Sequence, residues 1–298
     1  MYYTYMMMGG TDPDEALHAS LFTELIQSYL LIHDDVMDQD DKRRGGATIH
    51  KIYEDVHKKK YGMQDPAHFG ESMAVNLGDI ACHYACQILT DSDFAPELKV
   101  RALSQLHRQI VTVGFGQMLD IVSSVKKEVT QDDVFKVHHY KTAVYTYETP
   151  ISIGAVLAGA SDEDVQILSG YAIPAGIAFQ IQDDILGMYG QEEKLGKPNI
   201  SDLREGKHTL LIIKALENGS KAQIHTVTQA LGNPNVTQAD ADKVREIIAE
   251  TGSLEYSKNT ARDFVYKAKE ALATMPDWNG EGRAFLDGIA DYMINREF

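Results

Sequence analysis

The sequence predicts an all-α protein: a single-domain bundle of about ten helices, and three observations carry that prediction. Apolar residues recur at helical spacing over long segments such as 97–125, 131–159 and 163–188, with no convincing period-2 alternation. Helix starts are marked chemically, by an oxygen-bearing residue followed three positions later by an acid, as in Thr130/Asp133, Ser161/Asp164 and Thr237/Asp240. No Pro/Gly/Ser linker, low-complexity tract or fixed-period repeat divides the 298 residues.

In chain order, "MYYTYMMMGG" is apolar, yet the first Lys or Arg of the chain is Lys42. Without a positive n-region it reads as the back end of a core helix and not as a secretory signal. "TDPDE" then starts a helix carrying Leu17, Leu21, Leu25 and Ile32 at helical intervals. The expected loops are 41–47, 60–70, 188–207 and 231–237. Cys82 and Cys86, four apart in "DIACHYACQIL", read as small buried residues of a reduced protein, because no third cysteine exists to complete a zinc site.

Charge narrows the function classes. Forty-four acids against 28 bases leave a net charge of −16, which argues against nucleic acid and against a peripheral site on anionic membrane. No apolar run reaches the ~18 residues of a spanning helix, and a cytoplasmic location is expected.

Two clusters of carboxylates stand out. In "LIHDDVMDQDDKRRGG", Asp34 and Asp38 lie one turn apart on a helix face, and nothing earlier on that face supplies a cation. A hard divalent ion relieves such repulsion, and Mg²⁺ is commonly held by one or two carboxylates plus phosphate oxygens. Half the chain later, "FQIQDDILG" repeats the arrangement with Asp183, Asp184 and Gln180 on the adjoining turn. A cation-bearing loop follows each cluster: Lys42, Arg43 and Arg44 after the first, Lys197 and Lys207 after the second. Two such ends facing one another would make an acidic cage rimmed with cations, suited to a polyphosphate held through Mg²⁺.

"DDVMD…RRG" followed by "FQIQDDILG…GKP…DLREGKHTLL" resembles the trans-type isoprenyl diphosphate synthases, the family of the farnesyl and geranylgeranyl diphosphate synthases. The resemblance runs from about Gly9 to the last helix. It implies a bundle around a central cavity, a homodimer, and Mg²⁺-dependent joining of isopentenyl diphosphate to an allylic diphosphate, with three ions to a site. It makes Asp34, Asp38 and Asp183 metal ligands, supported by Asp35, Asp184 and Gln180. Arg43, Lys197 and Lys207 fall to the allylic diphosphate, and Arg44 and Gln27 to isopentenyl diphosphate. Lys141 and Thr142, in "HHYKTAVYTYETP", match a Lys-Thr pair that steadies the leaving group and the forming cation. Gln117 and Asp120, in "GFGQMLD", match a further substrate-binding element. His33, His138 and His139 are read as packing or capping residues and are assigned no chemistry.

The same resemblance makes Tyr29 and Leu30, five and four positions before Asp34, the residues that limit product length. A bulky Tyr29 implies a short product, geranylgeranyl favoured over farnesyl. Five helical residues rise ~7.5 Å and turn about 140°, so its direction rests on the resemblance and not on spacing. One departure is plain: the chain begins where the family's Gly-Gly-Lys-Arg-x-Arg-Pro motif should have ended. The expectation is therefore a domain lacking the family's N-terminal helix and an isopentenyl site keeping only Arg44 and Gln27. A terpene cyclase of the same helical class, or a non-catalytic prenyl-diphosphate-binding subunit, is the alternative.

Overall fold

The computed structural model describes residues 1–62, 65–191 and 199–296. Thirteen helices stand among the described residues, more than the ten expected, because short helices such as α1 (Tyr2–Met7) and α8 (Ser201–Glu205) are too brief to show a period. The remainder are α2 (Pro13–Met37), α3 (Ile49–Lys60), α4 (Pro66–Asp91), α5 (Pro96–Val125), a continuous α6 over 131–157, α7 (Asp162–Tyr189), α9 (Leu210–Asn218), α10 (Lys221–Ala230), α11 (Gln238–Glu250), α12 (Ser253–Thr274) and α13 (Gly280–Asn295). Among the described residues strand structure is confined to a hairpin, β1 (Lys42–Arg43) against β2 (Gly46–Ala47).

The expected helix starts form as read. Thr130, Ser161 and Thr237 each close a reciprocal capping box with the acid three residues on. Asp12 caps α2 with Pro13 at its first turn.

α2 buries a different face from the one its leucines suggest. Ala16, Ala19, Phe22 and Ile26 are enclosed, whereas Leu17 and Leu21 are more than half exposed. Tyr5 and Met7 of α1 join the same core. The core divides into one cluster around Phe22, Leu106, Leu157 and Tyr171 and a second around Ile181, Leu210, Ile212 and Val244, with α7 contributing to both. The thiols of Cys82 and Cys86 are free and half-buried at the edge of the first. No described helix is long and apolar enough to cross a membrane.

Two backbone features set the charged end of the bundle in place. α2 stops because Gln39 enters the left-handed region (φ 57°), which turns the Asp40 N–H back onto Asp35 O at 3.0 Å, a Schellman-type closure. The middle of α6, His138–Glu148, is a π-helix. It returns to α form at Thr149, whose N–H and hydroxyl both donate to Val144 O, just before Pro150, which has no N–H to give. Gly116 on α5 and Gly176 on α7 press on this wide turn from two sides. A Cβ at Gly116 would lie 2.3 Å from Lys141 N, and one at Gly176 would lie 2.5 Å from Ala143 Cα.

Candidate functional site

The end of α2, the π-turn of α6 and the residues before α9 meet at one cluster of charge. Lys141, one turn into the π-segment, places Nζ 2.5 Å from Asp120 Oδ2, 3.1 Å from Asp34 Oδ1 and 4.0 Å from Asp38 Oδ2. Lys207 sits 2.8 Å from Asp38 Oδ2 and 2.7 Å from Glu205 Oε2. The hairpin turns Arg43 back over the helix end, where Nε donates to Asp35 Oδ1 at 2.6 Å and Nη2 lies 3.6 Å from Asp34 and 3.9 Å from Asp40. The stacked carboxylates are thus neutralised by cations from three other stretches of chain.

The local field follows from this packing. Burial pushes Asp34 up, but Lys141, Lys207 and Arg43 outweigh it and hold the group below its ordinary value. At Asp38 burial prevails over Lys207 and the value rises. Asp35, 4% exposed, is pushed by burial to about 6 against the pull of Arg43. Lys141 and Lys207 stay charged, because the carboxylates around them overcome the cost of burial and raise both.

The second aspartate pair is divided. Asp184 is buried: Gln180 Nε2 donates to its Oδ1 at 2.8 Å, and His138 Nε2 lies 3.0 Å from its Oδ2. Thr142 donates its hydroxyl to Gln180 Oε1 at 2.7 Å. A line of contacts therefore runs from the second motif to the Lys-Thr pair. Asp183 is half exposed and accepts from Arg296 Nη2 at 2.8 Å, the guanidinium lying over the Phe179 ring at 4.3 Å.

The cluster is the common wall of three cavities. An apolar one of about 230 Å³ between α2, α5 and α6 is lined by Tyr29, Leu30, Ile110, Met118 and Tyr145 and ends on Asp34 and Lys141. A space of about 70 Å³ is bounded by Asp120, Lys141, Thr142, Gln180, Asp184 and Lys207. A third, of about 220 Å³, opens over Asp38, Asp120, Glu205 and Lys207. A charged wall backed by an apolar chamber divides the site into a polar half and a hydrocarbon-like half.

Of the residues singled out in sequence, Asp34, Asp35, Asp38, Arg43, Asp120, Lys141 and Lys207 come together, and Thr142, Gln180 and Asp184 form the adjoining line. Gln117 faces the apolar cavity with a buried amide nitrogen that has no hydrogen bond. Asp183 stands apart on Arg296. Gln27, two turns back along α2, and Arg44 take no part in the charge cluster. Arg44 is exposed at the hairpin tip, where both turn residues have positive φ (51° at Arg44, 79° at Gly45). Lys197 lies outside the described residues.

Sequence reasoning missed His138, Glu205, Asp40 and Arg296. His138 stands three positions before Lys141 and Glu205 two before Lys207, but neither spacing signals a partner without the fold. Among the described residues no three His, Cys, Asp or Glu side chains converge as a ready cation cage.

The family model described as Polyprenyl synthetase matches residues 1–250. A geranylgeranyl diphosphate synthase of Methanosarcina mazei is 35% identical over 289 residues, 97% of this chain and 82% of that protein. A geranylfarnesyl diphosphate synthase of Natronomonas pharaonis is 32% identical over 287 residues, 96% of this chain and 77% of that protein. Among solved structures, geranylgeranyl pyrophosphate synthase from Corynebacterium glutamicum, complexed with isoprenyl diphosphate and magnesium, superposes with a TM-score of 0.93 at 31% identity, covering 99% of this chain and 84% of that one. Polyprenyl synthase from Caulobacter crescentus, complexed with calcium and isoprenyl diphosphate, gives 0.84 at 29% identity, with 99% and 83% covered.

Proposed function

Because the chain belongs to the polyprenyl synthetase family, we propose that it is a prenyltransferase that joins isopentenyl diphosphate to an allylic diphosphate, with geranylgeranyl favoured over farnesyl diphosphate as product. One observation carries the reading: the Asp34–Lys141 pair stands where the charged cluster meets an apolar cavity containing Tyr29. Head and tail of a prenyl diphosphate would each find their own surroundings there.

The residues fit a hard divalent cation. Asp34 and Asp38 offer oxygen alone, one turn apart on the same helix face, the donor set such an ion takes. Asp34, Asp38 and Asp183 would hold magnesium, three ions to a site, supported by Asp35 and Asp184 from behind. When bound, magnesium neutralises charge on the diphosphate and so favours its departure. Arg43, Lys141 and Lys207 supply fixed positive charge to the same oxygens, in positions set before substrate arrives. Arg44 and Gln27 are assigned to isopentenyl diphosphate.

Thr142 takes its orientation from behind. Gln180 turns its N–H₂ to Asp184 and its oxygen to Thr142, which keeps the hydroxyl proton on Gln180. The lone pairs of Thr142 then remain for a cation forming beside Lys141. In the reaction the allylic C–O bond breaks with its electron pair on oxygen, and the isopentenyl double bond attacks the allylic carbon. The proton lost passes to the released diphosphate, so no side-chain base is required. The apolar cavity keeps water from the cation.

A second copy of the chain is the proposed partner. Val111, Phe115, Met118, Val122 and Val125 stand exposed along α5 at alternating four- and three-residue steps, and Leu17, Leu21 and Tyr84 add to the apolar surface on α2 and α4. The unpaired thiols support a cytoplasmic setting.

The test is incubation with labelled isopentenyl diphosphate, Mg²⁺, and dimethylallyl, geranyl or farnesyl diphosphate in turn, with products sized by chromatography. A single geranylgeranyl-length product is expected. Release of diphosphate without elongation would replace this reading with a cyclase, and binding without turnover would replace it with a non-catalytic subunit.

A further inference from the structure

Tyr29 is not held by α2 alone. Its ring meets the His33 ring edge-on, centroids 4.9 Å apart at 74°. One turn separates the two residues, and both line the apolar cavity with Asp34. His33 in turn is fastened to α4. Its Nε2 lies 3.0 Å from Val75 O and 3.7 Å from Asp79 Oδ1. A carbonyl only accepts, so Nε2 carries the hydrogen and donates it. The imidazole packs closely on Gly78: a Cβ there would sit 2.3 Å from Nε2 and 2.4 Å from Cδ2. Only glycine leaves room for the ring at that height. The Tyr29 hydroxyl also feels α4, its titration raised by burial and by nearby Cys82 and Asp79.

We propose that His33, seated on Gly78, is a specificity-determining residue: it braces Tyr29 as the wall that stops the growing hydrocarbon, so that product length is set by Tyr29, His33 and Gly78 together. This rests on the prenyltransferase reading and extends it from the wall to its support. The argument is steric. A tyrosine held only by its own helix can change rotamer, and a growing apolar chain would push it aside. An edge-to-face ring contact favours one orientation of the Tyr29 ring over the others. The His33 ring is itself immobilised by a hydrogen bond and a backbone seat on a second helix. Support of this kind turns a movable side chain into a stop.

The experiment compares the product distributions of the wild-type chain, Tyr29→Ala, His33→Ala and Gly78→Ala, each given isopentenyl diphosphate and farnesyl diphosphate with Mg²⁺. Gly78→Ala matters most, because it displaces the ring from α4 without changing any residue of α2 or any aspartate. Thermal melting verifies that each variant is folded. The expected result is a shift of the main product by at least one isoprene unit in all three variants. The rate of the first condensation should stay within about threefold of wild type for Gly78→Ala. Longer products from Tyr29→Ala, with wild-type products from folded His33→Ala and Gly78→Ala, would overturn the brace and leave Tyr29 as a self-sufficient wall. Wild-type products from Tyr29→Ala would remove the wall, and the brace with it.

Discussion

The two aspartate-bearing helix ends read alike in sequence and are held differently in space. At the end of α2, Asp34 and Asp38 face Lys141, Lys207 and Arg43, which arrive from α6, the residues before α9 and the hairpin. At the end of α7, Asp183 is half exposed and pairs with Arg296. What the two ends share lies one residue on. Asp35 turns inward onto Arg43, and Asp184 turns inward onto His138 and Gln180. A doubled aspartate at a helix end is thus a division of labour. The first carboxylate stands toward a cavity or the surface, and the second is buried on the frame behind it.

The strongest way to break this comparison is to neutralise the outward acids. Asp34→Asn and Asp183→Asn are each expected to lower turnover about 10³-fold, roughly 4 kcal/mol of lost transition-state stabilisation, while melting stays near wild type. Steady-state kinetics at saturating Mg²⁺ and calorimetry measure the two quantities. Retained turnover in Asp183→Asn alone would mean that the second end is not a partner of the first.

Next in size is the inward acid. Asp35→Ala removes the closest partner of Arg43, a largely buried cation, and breaking such a pair costs about 3–5 kcal/mol when nothing replaces it. Asp34 and Asp40 remain at 3.6 and 3.9 Å, so the lower end is expected. For a chain of this size that is a fall in Tm of very roughly 6 °C. A large loss of turnover with unchanged Tm would move Asp35 to the ligand-facing side and end the division of labour.

How much of this was legible in the sequence depends on the range of each interaction. The capped starts at Thr130, Ser161 and Thr237 could be read because cap and acid are three residues apart and the chemistry is local. The aspartate ends could be found for the same reason. Their partners could not be paired by spacing: Lys141, Lys207 and Arg296 reach Asp34, Asp38 and Asp183 across the fold. Lys207 could be noted as a cation following the second cluster, and only the family likeness put Lys141 at the site. The leucines of α2 misled because Leu17 and Leu21 have helical spacing yet face outward, while small alanines mark the buried side. The helix count fell short where helices are a turn or two long, since packing and not pattern makes them.

The smallest effect belongs to the start of the helix that carries Lys141, and it tests whether a legible local signal supports the distant site. Thr130 N and Oγ1 both donate to Asp133 Oδ2 at 2.9 Å, and the Asp133 N–H returns a bond to Thr130 Oγ1 at 3.2 Å. These bonds, backbone first, together with Lys126 hold the Asp133 carboxyl down at about 2 from an ordinary 3.8. A depressed carboxylate contributes stability above its unfolded value and loses it as pH falls through its folded value. Asp133→Ala is therefore expected to cost about 1 kcal/mol at pH 7. That cost should hold steady down to near pH 4 and shrink between 3.8 and about 2 as the wild-type carboxyl takes up its proton. Urea titrations of both chains at pH 7, 5 and 3 measure the difference directly. A gap that stays constant to pH 3 would show that the ionised carboxylate adds nothing. In that case Lys141 owes its position to Gly116 and Gly176, the glycines that clasp its turn, and not to the start of its helix.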